Sequence, residues 1–213
     1  MGFFDELADG FRQFTNGVDQ NLLATGILAR AEILSLTMSG TTISILNAPV
    51  ERTCTFRLRV MKDDQQPYEA SVTQRVQEIV IPQLQAPGVV VAVRVDPANA
   101  ANIAIDLLSE PPVVRLPESS GPGSAKDILA TGTPVTVVLV ANQPIGLTNH
   151  EGHPVHALTL TVATGVPEPY QVQVGNAIPP SALPLVYPGS KLHAKLGSDP
   201  NSIVVDWAAG AAS

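Results

Sequence analysis

The sequence predicts an all-β protein: two tandem copies of a small β-barrel or sandwich domain, preceded by a short N-terminal amphipathic helix. Three observations carry this prediction. After Gly26 the apolar pattern switches to strict alternation in Val, Ile and Leu, the signature of half-buried strands. A set of landmarks recurs once, in the same order, at offsets of 100 to 106 residues. The first residues instead carry an apolar stripe at helical spacing.

That stripe is Phe3, Leu7, Phe11, Phe14 and Val18, with Phe4 beside it, and four of the chain's five phenylalanines lie here. Asp5, Glu6 and Asp9 fall near the N-terminus, where the helix dipole favours negative charge. Asn16-Gly17 reads as a stop or kink, and a second short helix through Leu22 and Leu23 ends at Gly26. So large an aromatic surface must be covered. Either it folds back on its own β domain, or Phe3, Phe4, Leu7, Phe11 and Phe14 bind a partner. Acids on the polar face argue against a membrane-surface helix, which usually carries Lys and Arg there.

The repeat is visible by eye. Leu23-Ala24-Thr25-Gly26 matches Leu129-Ala130-Thr131-Gly132, and Phe56–Val60 matches Leu158–Val162. Pro67-Tyr68 matches Pro169-Tyr170, Pro87-Gly88 matches Pro188-Gly189, and Asp96-Pro97 matches Asp199-Pro200. Ile103–Leu107 matches Ile203–Trp207. In copy one the expected strands are 28–37, 42–46, 53–61, 68–76, 89–95 and 101–107, while 74–85 reads as either strand or helix. Pro87-Gly88 is a turn in which Pro presets φ and Gly supplies a positive φ. The domains run 25–110 and 125–208. Residues 111–124, rich in Pro, Ser and Gly, form a linker, and 209–213 form a tail expected to fray.

Pro67-Tyr68-Glu69-Ala70, Val76, Pro87-Gly88, Val93-Arg94-Val95-Asp96-Pro97 and Ile103-Ala104-Ile105-Asp106 together form a pattern. It resembles one found in actinobacterial proteins where a small β domain occurs alone, doubled or beside other small modules, a class of domains of unknown function. The match covers copy one well and copy two partly, since Leu196-Gly197-Ser198 departs from the pattern ahead of Asp199. The resemblance implies a fold and transfers no site residues.

Composition narrows the function classes. With 12 Lys+Arg against 19 Asp+Glu the net charge is −7, and no basic cluster offers a footprint for nucleic acid. The single cysteine, Cys54, permits no internal disulfide and suits a reducing cytoplasm. No signal-peptide pattern or long apolar span is read, and membrane association is not expected.

Two site candidates stand out. His150, His153 and His156 cluster around Glu151-Gly152, which reads as a hairpin tip. Imidazoles beside a carboxylate are ligands for Zn²⁺ or Ni²⁺, although plain solvent-exposed histidines give the same pattern. Asp96, Asp106, Asp199 and Asp206 form an acid set, expected in turns or facing solvent. Cys54 lies within a strand and reads as a small hydrophobe. No nucleophile-elbow, P-loop or dinucleotide motif occurs, so no catalytic residue or cofactor is expected. The resulting expectation is a non-enzymatic structural or interaction protein, a homo-oligomer or bound to a protein partner. The alternatives are a metal- or small-molecule-binding module at His150–His156, or an accessory subunit of an enzyme complex.

Overall fold

A computed structural model describes residues 19–43 and 50–212, with side chains left out from 40 to 43. The stripe of Phe3, Phe4, Leu7, Phe11 and Phe14 lies outside the described residues. The chain divides into two compact units, Met1–Val114 and Arg115–Ser213.

The first unit opens with helix α1, Gln20–Thr25, whose N-terminus is capped by Asp19 Oδ1 accepting from Leu22 N at 3.0 Å. Strands β1 (Ile27–Ile43), β2 (Glu51–Met61) and β3 (Tyr68–Gln77) follow. A 3-10 turn at Glu78–Val80 and helix α2, Ile81–Leu84, lead into β4 (Val90–Val95) and β5 (Ile103–Asp106). The stretch left open as strand or helix is therefore both. All neighbours are antiparallel, in the order β3-β2-β1-β4-β5. The strand expected at 28–37 and the first residues of that expected at 42–46 are in fact one strand, β1, which runs to Ile43; 44–46 lie outside the described residues. Between Met38 and Thr42 the pairing with β2 slips, so the turn-like Ser39-Gly40 is absorbed as a bulge inside β1.

The second unit repeats this plan. It contains β6 (Val114–Arg115, at the boundary), α3 (Ala125–Thr131), β7 (Thr133–Thr148), β8 (Pro154–Thr164) and β9 (Tyr170–Ala177). A 3-10 helix at Pro180–Leu185 precedes β10 (Lys191–Leu196) and β11 (Ile203–Val205). The order is β11-β10-β7-β8-β9, with β6 against β7. Register is conserved through the core of each sheet, with one extra slip between Thr136 and Val137 in the second unit. Ala31 pairs Val60 and Val91 in the first unit, and Val137 pairs Val162 and Leu192 in the second. Even the bulge recurs, between Pro144 and Leu147.

Each sheet curls until its ends meet, and one buried amide seals the seam. Gln74 on β3 accepts from Ile105 N at 2.9 Å and donates to Ile105 O at 3.0 Å on β5. Its counterpart Asn176 accepts from Val205 N at 2.9 Å and donates to Ile203 O at 3.3 Å. The amide side chain thus supplies the donor and acceptor that a neighbouring strand would supply, where an unpaired buried backbone group is costly. Inside, Phe56, Leu58 and Val60 fill one core and Leu158, Leu160 and Val162 the other, all fully buried.

Two expectations are corrected. Asp96-Pro97 and Asp199-Pro200 are not equivalent: seven residues separate β4 from β5 and six separate β10 from β11. Asp199 instead matches Asn99, since Asn99 Oδ1 accepts from Ala101 N as Asp199 Oδ1 accepts from Asn201 N. The division between the two units falls within the expected linker 111–124, where Val114 is buried and Leu116 N donates to Thr148 O at 2.8 Å. The tail, expected to fray, is instead docked as far as Ala212. Leu192 pairs with Ala211, and Ala212 N donates to Lys191 O at 2.9 Å.

Candidate functional site

The β7–β8 hairpin tip, 149–153, is shaped by one side chain. Asn149 Oδ1 accepts from Glu151 N at 3.1 Å and His153 N at 2.8 Å, while Gly152 takes φ +83°. This fixes the three histidines apart. His150 is exposed at the tip, and His153 Nδ1 lies 3.3 Å from Glu151 Oε2. His156 sits in β8 with Nδ1 3.4 Å from Asn142 Oδ1. Among the described residues no three His, Cys, Asp or Glu side chains converge as metal ligands, so the expected site of His150, His153 and His156 is corrected to three separate roles. The reason is strand geometry: successive side chains alternate faces, and His153 is committed to the loop.

His150 instead borders a cleft of about 520 Å³ in the second unit. Leu116, Pro117, Lys126 and Leu129 of α3, and Trp207 are among the residues that line it. Trp207 is the only tryptophan of the chain, and its Nε1 donates to Ala177 O at 2.8 Å, fixing the ring. The cleft has no local sequence signature, because its lining comes from five segments that only the folded sheet brings together. The lone tryptophan was the available signal.

The acid set resolves into turn and helix caps. The backbone N–H of Ala98 and then the Asn102 amide hold Asp96 below the usual carboxylate range. Asp206 Oδ1 accepts from Ala209 N, capping the 3-10 turn Trp207–Ala209. Asp106 departs from the solvent-facing expectation: it is buried, 8% exposed. Burial raises its pKa, but Ser109 Oγ at 2.7 Å, Arg94 Nε at 3.0 Å and the N–H groups of Leu108 and Ser109 outweigh that and hold it low. All of β5 is buried, because α1 packs on its outer side, so it offers no solvent face for an acid. Cys54 is fully buried, and burial pushes its thiol up against a smaller opposing pull from Arg52, which makes it a poor nucleophile.

No helix among the described residues is long and apolar enough to cross a membrane. No family model, curated protein or solved structure matches the chain.

Proposed function

We propose that this chain is a non-enzymatic structural or interaction protein, cytoplasmic, which assembles with itself or with a partner through its Phe-rich N-terminal segment and its β modules. The observation that carries the reading is the stripe Phe3, Leu7, Phe11, Phe14 and Val18, at spacings of 4, 4, 3 and 4. An aromatic stripe of this size is usually a contact surface. Support comes also from the two cores, whose interiors are filled by their own side chains, leaving the outer surfaces to meet partners. The likeness to doubled actinobacterial β domains fits a modular building block.

The test replaces Phe3, Phe11 and Phe14 by Ser together in the full chain. The wild type is expected to elute above the 22.3 kDa chain mass, by light scattering, or to retain a stoichiometric partner when purified from its host. The variant is expected to do neither. Unchanged behaviour of the variant overturns the reading.

A second reading, a small-molecule-binding module, is favoured by the cleft between His150, Lys126 and Trp207. Its volume falls within the roughly 300–1,000 Å³ typical of ligand sites. Trp207 fluorescence reports on it directly, and a fragment collection that leaves the emission unmoved at millimolar concentration ends this reading.

A further inference from the structure

The cleft of the second unit combines an apolar lining with two charges that nothing answers. Leu116, Leu129 and Trp207 line it, and Leu129 is 38% exposed on α3. Trp207 is fixed by its bond to Ala177 O, so the indole is a rigid, flat surface rather than a mobile side chain. Four ionisable side chains belong to the same lining: Glu118, Lys126, His150 and Glu151. Glu151 is committed to its own hairpin, with Oε2 3.3 Å from His153 Nδ1 and 3.4 Å from Asn149 Nδ2. Asn176, also in the lining, directs its amide to β11. Glu118 and Lys126 differ from these. Neither side chain makes a hydrogen bond or an ion pair with any described residue, and they do not pair with each other.

The aromatic and the cation are features of the second copy alone. The first carries Leu107 where the second carries Trp207, and Gln20 where it carries Lys126. Ligand sites are typically apolar clefts in which a few polar groups fix the orientation of what binds. Here the two free groups have opposite signs, and that selects the occupant. An anion would pair with Lys126 but face Glu118 and a chain of net charge −7. A cation would pair with Glu118 but face Lys126. A molecule that carries both charges answers both groups and, having no net charge, is indifferent to the charge of the whole chain.

We propose that this cleft binds a small aromatic zwitterion of the class of free aromatic α-amino acids. The ring packs on Trp207 and Leu129, the carboxylate meets Lys126 and the ammonium meets Glu118. The inference rests on the second reading above, the small-molecule-binding module, and names its ligand class.

The test titrates the full chain with three probes, following Trp207 emission excited at the red edge of its absorption, where none of the probes absorbs. L-Phenylalanine carries both charges, phenethylamine lacks the carboxylate and phenylpropionate lacks the ammonium. Each is measured on the wild type, on Lys126→Gln and on Glu118→Gln. Both positions are exposed, and Lys126→Gln installs the residue of the first copy. The fragment collection of the second reading is run beside them.

Phenylalanine is expected to bind about fivefold more tightly than either analogue, the size of an exposed ion pair. Lys126→Gln should weaken phenylalanine to the level of phenethylamine and leave phenethylamine itself unmoved. Glu118→Gln should do the same toward phenylpropionate. The crossed pattern ties each charge of the ligand to one residue, which a merely structural effect of either substitution would not produce. Phenylalanine binding no more tightly than an analogue, or variants that weaken all three probes alike, overturns the inference. Fragments that shift the emission while phenylalanine does not overturn the inference and leave the small-molecule reading intact. Emission that nothing moves at millimolar concentration overturns both.

Discussion

At the scale of single residues, Asp106 has the most concentrated set of partners. Its carboxylate meets Arg94, Ser109 and two backbone N–H groups in a buried setting. Replacing it by Asn keeps the shape but loses the charge that Arg94 faces, so Asp106→Asn should cost about 2 kcal/mol in urea unfolding. Because the folded pKa lies below the ordinary value of 3.8, Asp106 contributes stability above that value and loses it as pH falls through the lower, folded one. Acidification below about pH 4 should therefore narrow the gap between wild type and Asp106→Asn, and a constant gap would show that the ionised form carries no advantage. The sequence could not announce this role. Ile103-Ala104-Ile105-Asp106 alternates as a half-exposed strand does, yet α1 covers the side of β5 that alternation assigns to water. The histidine hairpin was legible as a turn, through Glu151-Gly152, but neither the shaping role of Asn149 nor the three diverging side chains were.

At the scale of elements, helices α1 and α3 each end on a glycine for reasons of space. A Cβ at Gly26 would lie 2.6 Å from Leu22 O and 2.9 Å from Arg94 Cβ; at Gly132 it would lie 2.5 Å from Ile128 O and 2.9 Å from Leu196 O. Neither has a positive φ, so the demand is for close approach of helix to sheet. Gly132→Ala should lower stability by about 1–3 kcal/mol, the usual range for overpacking. Gly88, with φ +71° and open space around it, tests the other mechanism: Gly88→Ala should cost about 1 kcal/mol through backbone conformation alone. The seam amides are the second elemental device. Asn176→Leu leaves Val205 N and Ile203 O without their partner and should cost about 1–3 kcal/mol, with faster amide exchange concentrated in β11. Strands β2, β3, β8 and β9 were readable from alternation because one face of each meets water. β1 was not, since a bulge makes a strand look like two strands and a turn.

At the scale of the whole molecule, the duplication was the most legible feature, because register preserves which residues face the core even where identities drift. Phe56 became Leu158 and Arg59 became Thr161 without any change in pairing. What the sequence hid was length variation in a loop, which misaligned Asp96 with Asp199, and the docking of the tail, which uses backbone groups and so leaves no side-chain mark. Net charge is the property of the whole chain with the plainest consequence. Two copies each carrying −7 must overcome mutual repulsion to associate. Raising salt from about 0.01 M to about 1 M shortens the screening length from about 30 Å to about 3 Å, which removes most of that repulsion. If copies meet through uncharged and aromatic surfaces, nothing attractive is screened in exchange. Self-association measured by sedimentation equilibrium should then strengthen monotonically with salt, and should strengthen also as pH falls from 7 toward the pI of about 4.9, where the net charge vanishes. An interface built on ion pairs would behave in the opposite way in salt, weakening as its attraction is screened. The sign of the salt dependence thus separates the two kinds of contact before any residue is changed.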